Sequence, residues 1–236
     1  MSRPNSGPPP PKADPPAGRA DPSAAPAGAA SGPPDAPPLV VGVTGASGAA
    51  YAVRLVACAA AAGRRVWVIV SRPGRLVLAD EAGMGGSADA PDLATLWPAE
   101  VLDRVRYVPA EVLDAPPASG SFGAGPTVVI PCSMNTLAAL AHGLSQNLVH
   151  RAAQVALKEG RPLLVVPREM PVTPLDLENM ARLARAGAQV WPAMPAFYHR
   201  PETVGDLVDF VVAKVLNRLE IPHGLDTAWP GAKGGD

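Results

Sequence analysis

Aromatic side chains make up only 4% of the 236 residues, and cysteine occurs twice. Cys58 and Cys132 cannot build a disulfide framework, so a small stapled secreted fold is excluded and a reducing, cytoplasmic setting is expected. Charge is equally sparse: 20 Lys and Arg against 21 Asp and Glu leave a formal net charge of −1. The basic residues are scattered, which removes the electrostatic footprint of a nucleic-acid binder. No apolar run is long enough to span a bilayer, so no membrane partner is expected. His142, His150, His199 and His223 lack metal-ligand spacing and form no zinc set with the cysteines, so no metal is expected.

Large apolar residues are missing from the first 38 positions. Met1 to Pro38 is mostly Pro, Ala and Gly, and repeated Pro interrupts every stretch that could serve as the core of a secretory signal. This segment reads as a disordered extension. What remains is enough for one globular domain over 39–222, followed by a tail over 223–236.

From Leu39 onward, short β-branched runs alternate with longer helical patterns. "LVVGV", "RVWVIV", "RVRYVP", "TVVIP", "PLLVVP" and "AQVWP" read as strands. Helices are expected in "AAYAVRLVACAAAAG", "RPGRLVLADE", "SMNTLAALAHG", "NLVHRAAQVALKEG", "TPLDLENMARLARAG" and "TVGDLVDFVVAKVLNRL". "GMGGSADAP" reads as a loop and "DLATLW" as a short helix. Nearly continuous apolar strands joined by helices imply a mainly parallel sheet covered on both faces, a Rossmann-like three-layer α/β/α sandwich. Ligands of such sheets lie beyond the carboxyl ends of the strands. That rule singles out the loops 44–49, 71–75, 115–122, 131–135 and 167–173.

In "TGASGAAY", Gly45 and Gly48 permit close backbone approach, Ser47 offers a hydroxyl, and a helix begins whose free N–H groups attract an anion. The loop lacks the Lys-Ser/Thr of a P-loop and the G-x-G-x-x-G of dinucleotide folds. The competing reading is a small-residue turn with Ser47 as N-cap. Ser133 has the same two readings. Cys132 shows no pairing with a particular His and reads as a buried small side chain. Arg151 and Lys158 lie seven apart on one helical face, and the next strand carries Arg168 and Glu169 to its carboxyl end. Such a group either meets an anion or forms a salt-bridge network at a subunit interface. Tyr198 and Lys214 either bind a phosphate or are a packed ring and a solvated charge.

Taken in order, "TGASGA", "APPASGSF", "PCSMNTLAALAHG", "NLVHRAAQVALKEGRPLLVVPRE", "LENM", "PAFYHRP" and "DLVDFVVAKVLN" closely resemble the UbiX-type flavin prenyltransferases, relatives of the flavin-binding cysteine decarboxylases. The resemblance runs from about Leu39 to Trp229. It implies reduced FMN as prenyl acceptor, no metal, and transfer of the dimethylallyl group of dimethylallyl monophosphate to flavin N5 and C6. It also implies a UbiD-type decarboxylase as recipient of the prenylated flavin and a dodecameric homo-oligomer. Residue by residue, it assigns Gly45, Ala46, Ser47, Ser71, Ser133, Met134, Asn135, Thr136 and Arg168 to FMN. Tyr198 and Lys214 fall to the substrate phosphate, and Glu169, Glu81, Lys158 and Arg151 to the catalytic group. Glu169 is the candidate for proton transfer.

Two positions depart from the family pattern: Leu113 stands where Trp is common, and Lys214 where Arg is usual, which keeps the charge but loses the planar fork. The alternatives are a related FMN-dependent cysteine decarboxylase and a non-catalytic FMN-binding subunit. The cations of "PREMP" and "AFYHRP" argue against the former, whose chemistry needs no second phosphate site.

Overall fold

A computed structural model describes residues 36–87, 90–225 and 227. The extension expected over 1–38 and the tail expected over 223–236 therefore lie largely outside the described residues. Strand β1 (Leu39–Val43) leads into α1 (Ala49–Ala61), and β2 (Val66–Val70) into α2 (Arg72–Ala82). A small antiparallel pair, β3 (Gly85–Gly86) with β4 (Pro91–Asp92), and α3 (Ala99–Leu102) precede β5 (Val105–Pro109). Then follow β6 (Thr127–Cys132), α4 (Met134–Ala141), α5 (Leu148–Lys158), β7 (Leu163–Pro167), α6 (Pro174–Arg185), β8 (Gln189–Val190) and α7 (Val204–Arg218).

The main sheet has the order β5-β2-β1-β6-β7-β8, and every neighbouring pair is parallel. Alternate strand residues serve opposite faces. Val41, Val43, Val68, Val70, Ile130 and Val166 pack with α1 and α7, while Val40, Ile69, Val129, Leu163 and Val165 pack with α4, α5 and α6. This double burial is why the strands are apolar throughout rather than alternating. Small residues set the spacing: a Cβ on Gly42 would lie 2.9 Å from Val149 Cγ1, so α5 sits directly on β1. Among the described residues, no helix is long and apolar enough to cross a membrane.

Helix starts follow local chemistry. Ser71, Ser133 and Asn147 accept from backbone N–H groups at the starts of α2, α4 and α5, and Thr173 with Asp176 and Thr203 with Asp206 form capping boxes. Three expectations need correction. "AQVWP" pairs as a strand only at Gln189–Val190, although Trp191 N and Ala193 N still donate to Val165 O and Pro167 O. Pro192 falls between these two donors, where its missing N–H costs the pairing with β7 nothing. "DLATLW" forms a single 3-10 turn, Leu93–Thr95, started by the Asp92 side chain. The "GMGGSADAP" stretch holds β3 and, at Pro91, the first residue of β4 instead of being all loop.

Strand order reverses between β1 and β6. Chain connections run outward on either side of this point, leaving a crevice at the carboxyl ends of the two strands. The loops at 44–48 and 132–136 meet in it.

Candidate functional site

Thr44 follows β1 directly and is only 1% exposed. Its hydroxyl donates to Pro131 O at 2.8 Å and accepts from Ser133 N at 2.8 Å, so one side chain ties the two crevice loops together. Thr44→Val keeps the volume but leaves Ser133 N without its acceptor. We expect a stability loss of about 1–3 kcal/mol in denaturant unfolding; an unchanged midpoint would show that the tie carries no load. Gly45 then lets α2 approach, since a Cβ there would fall 2.5 Å from Pro73 Cβ. Gly48 has φ 114°, a left-handed conformation that favours glycine, and the Tyr51 ring lies over it.

The start of α1 differs from both readings of its motif. Ser47 is not the N-cap; Gly48 is, with no side-chain cap of its own. The Glu81 carboxylate, reaching across from α2, accepts from Gly48 N at 2.7 Å and Ala49 N at 2.9 Å. Burial alone would raise the Glu81 carboxyl. Hydrogen bonds from the Ser47 hydroxyl and from the Gly48 and Ala49 N–H groups, with Arg168 nearby, outweigh burial and hold it below the usual carboxylate range. These two N–H groups therefore face a protein carboxylate. The Ser47 hydroxyl donates to the same carboxylate.

Arg168 follows β7 and donates through Nε to Ser47 O at 3.1 Å. Ser133 accepts from Thr136 N at 3.3 Å, so its N-cap reading holds. Ser71 accepts from Gly74 N at 3.1 Å in the same way. Cys132 is fully buried, and burial pushes its thiol far up, which leaves no thiolate for chemistry. Gly45, Ala46, Ser47, Ser71, Glu81, Ser133 and Arg168 thus share the crevice, with Met134, Asn135 and Thr136 in the first turn of α4. Glu169 is exposed beside it and accepts from Met170 N at 3.0 Å.

The expectation that Arg151 and Lys158 stand with Arg168 at one sheet edge is corrected. Helix α5 starts at the carboxyl edge, where Leu148 N donates to Ala110 O, and runs back to the amino edge. Lys158 is its last residue, about 10 Å along the axis from Arg151. Lys158 pairs with Glu159 at 3.4 Å, and Arg151 Nε donates to Ala118 O at 2.9 Å. The 115–122 segment does not arch over the crevice; it descends along α5, held by Arg151 and by Arg161 Nη2 on Gly120 O at 2.7 Å.

Tyr198 and Lys214 form a separate group on the α7 side, joined through Phe210. The Tyr198 ring meets Phe210 edge-on at 5.7 Å, and Lys214 Nζ lies 5.4 Å from the Phe210 ring centre. Sequence reasoning missed Phe210, Thr44 and Arg75. Arg75 is 7% exposed and pairs with Glu111 at 3.0 Å, tying the first turn of α2 to the segment carrying Leu113. Thr44 and Arg75 lay in loops that the strand-end rule singled out, but their roles were not visible because their partners are distant in sequence; for Phe210 the signal was its i, i+4 spacing to Lys214.

The Flavoprotein family model matches residues 29–216. The flavin prenyltransferase UbiX of Pseudomonas aeruginosa is 43% identical over 194 residues, covering 81% of this chain and 93% of that one. The chain belongs to the UbiX-type flavin prenyltransferase family. Two solved structures of this kind share its fold. AnUbiX in complex with FMN and dimethylallyl pyrophosphate is 31% identical with TM-score 0.73, covering 84% of this chain and 99% of that one. A dodecameric FMN-dependent Ubix-like decarboxylase from Escherichia coli O157:H7 is 39% identical with TM-score 0.71, covering 82% and 99%.

Proposed function

We propose that this enzyme transfers the dimethylallyl group of dimethylallyl monophosphate to N5 and C6 of reduced FMN, and that the product serves a UbiD-type decarboxylase. The observation that carries this reading is the convergence of Ser47, Ser71, Ser133 and Arg168 at the switch point. The residues fit a flavin mononucleotide: serine hydroxyls at the starts of α2 and α4 and just before α1, with a guanidinium beside them. Gly45, Ala46 and the Ser133–Thr136 turn complete the FMN contacts. No metal enters the proposal.

Bound reduced FMN supplies N5 and C6 as the atoms that acquire new bonds. The allylic C–O bond breaks with its electron pair leaving on phosphate. The N5 proton departs with the phosphate, and the proton shed at C6 balances the one taken up by the alkene. The chain's part is electrostatic. Tyr198 and Lys214 bind the phosphate, and Arg168 neutralises charge at the crevice. Glu169 carries a proton, and ionised Glu81 fixes the Ser47 hydroxyl so that its oxygen accepts from a flavin N–H.

Arg151 and Lys158 enter the proposal through a second copy of the chain. Lys158 at the amino edge does not reach the crevice of its own protomer, and the carboxyl edge carries exposed Met170, Met194, Phe197 and Val204 at 70–88%. Apolar exposure of this kind marks an interface, and a homo-oligomer, dodecameric as in the Escherichia coli relative, is proposed. Both cysteines are free and buried, which suits the proposed cytoplasmic location. Anaerobic incubation with reduced FMN and dimethylallyl monophosphate is expected to release inorganic phosphate only when both are present. Release without flavin would point to a phosphatase instead.

A further inference from the structure

His199 lies between Tyr198 and Arg200 and takes no part in the roles assigned above. Helix α7 presents Asp206, Phe210 and Lys214 at i, i+4 and i+8, one stripe along its surface. The His199 ring stacks on Phe210 with centroids 5.2 Å apart and planes 15° apart, and Tyr198 meets it edge-on at 5.9 Å. Asp206, held by backbone N–H groups of Thr203 and Glu202, stands at the start of the same stripe. On its other side, His199 borders an open polar cleft of about 670 Å³ lined also by Arg200, Glu202 and the Arg54–Asp209 ion pair.

Both ring nitrogens of His199 are shielded from water and have no hydrogen-bond partner. Leaving buried polar groups unpaired is costly, and a phenyl ring would stack on Phe210 without that cost. Packing alone therefore does not account for an imidazole here. We infer that His199 is a further positioning residue of the donor-phosphate site: when the phosphate binds, Tyr198 shifts toward it and opens the imidazole nitrogens to the phosphate or a water held by it, and this fixes Tyr198 and Lys214 on the Phe210 ring. The inference rests on the reading of Tyr198 and Lys214 as the phosphate contacts. The ligand class that such a group recognises is a phosphomonoester dianion.

The test compares the full chain with His199→Phe and His199→Asn, using FMN titration, thermal unfolding and single-turnover prenylation over a range of dimethylallyl monophosphate. His199→Phe is expected to keep FMN affinity and to melt at or above the wild-type temperature, because the stack remains and the unpaired nitrogens are gone. Its half-saturating donor concentration is expected to rise about tenfold, the size of one lost hydrogen bond to a charged group, with the saturated rate within about threefold. His199→Asn, which restores a donor, should recover part of that loss; it also carries the comparison if His199→Phe does not fold. A wild-type donor dependence in both variants, or a fall in saturated rate with unchanged half-saturation, overturns the inference. Failure of the wild type itself to use the donor would instead overturn the proposed function.

Discussion

Glu169→Gln is expected to bind FMN and dimethylallyl monophosphate about as well as wild type and to turn over roughly a hundredfold or more slowly. Gln keeps the shape of the side chain and much of its hydrogen bonding, so binding has little reason to change. What it loses is the capacity to take up and release a proton, needed when phosphate departs or the new ring closes. The other carboxylate at the crevice is unsuited to that task. Glu81 accepts from Gly48 N, Ala49 N and the Ser47 hydroxyl, and stays ionised. Glu81 therefore organises a helix start, and the proposed proton transfer falls to Glu169. The measurements are FMN fluorescence titration and single-turnover prenylation. Normal turnover by Glu169→Gln would remove Glu169 from the chemistry.

Lys214→Ala is expected to raise the half-saturating concentration of dimethylallyl monophosphate about ten- to a hundredfold while FMN remains bound, the range for one lost charge-assisted contact. The proposed FMN contacts are the loops after β1, β2 and β6, whereas Lys214 lies over Phe210 on α7, so the two effects are expected to separate. Lys214→Arg should retain most activity or improve it, because the planar fork grips two phosphate oxygens at once. Loss of flavin from Lys214→Ala would show that the two sites are one.

The alternation of β-branched runs and helical patterns made the three-layer architecture legible, and the strands fall where "LVVGV", "RVWVIV", "TVVIP" and "PLLVVP" placed them. The N-cap reading of Ser133 was legible too, since that chemistry is local. Contacts between distant segments were not. Nothing near Glu81 announces that its carboxylate caps a helix 32 residues earlier in the chain. Spacing of seven put Arg151 and Lys158 correctly on one helical face, but face says nothing about height: the helix carries Lys158 down to the opposite sheet edge. Similarly, "APPASGSF" follows β5 as a crevice loop would, yet Arg151 and Arg161 draw it along α5.

One measurement bears most directly on the function. Protein, reduced FMN and dimethylallyl monophosphate are incubated without oxygen, and the mass of the extracted flavin is determined. The expected product is heavier than FMN by one C5H8 unit, in amounts that match the phosphate released. Unchanged FMN beside properly bound flavin and intact donor would contradict prenyl transfer by this chain.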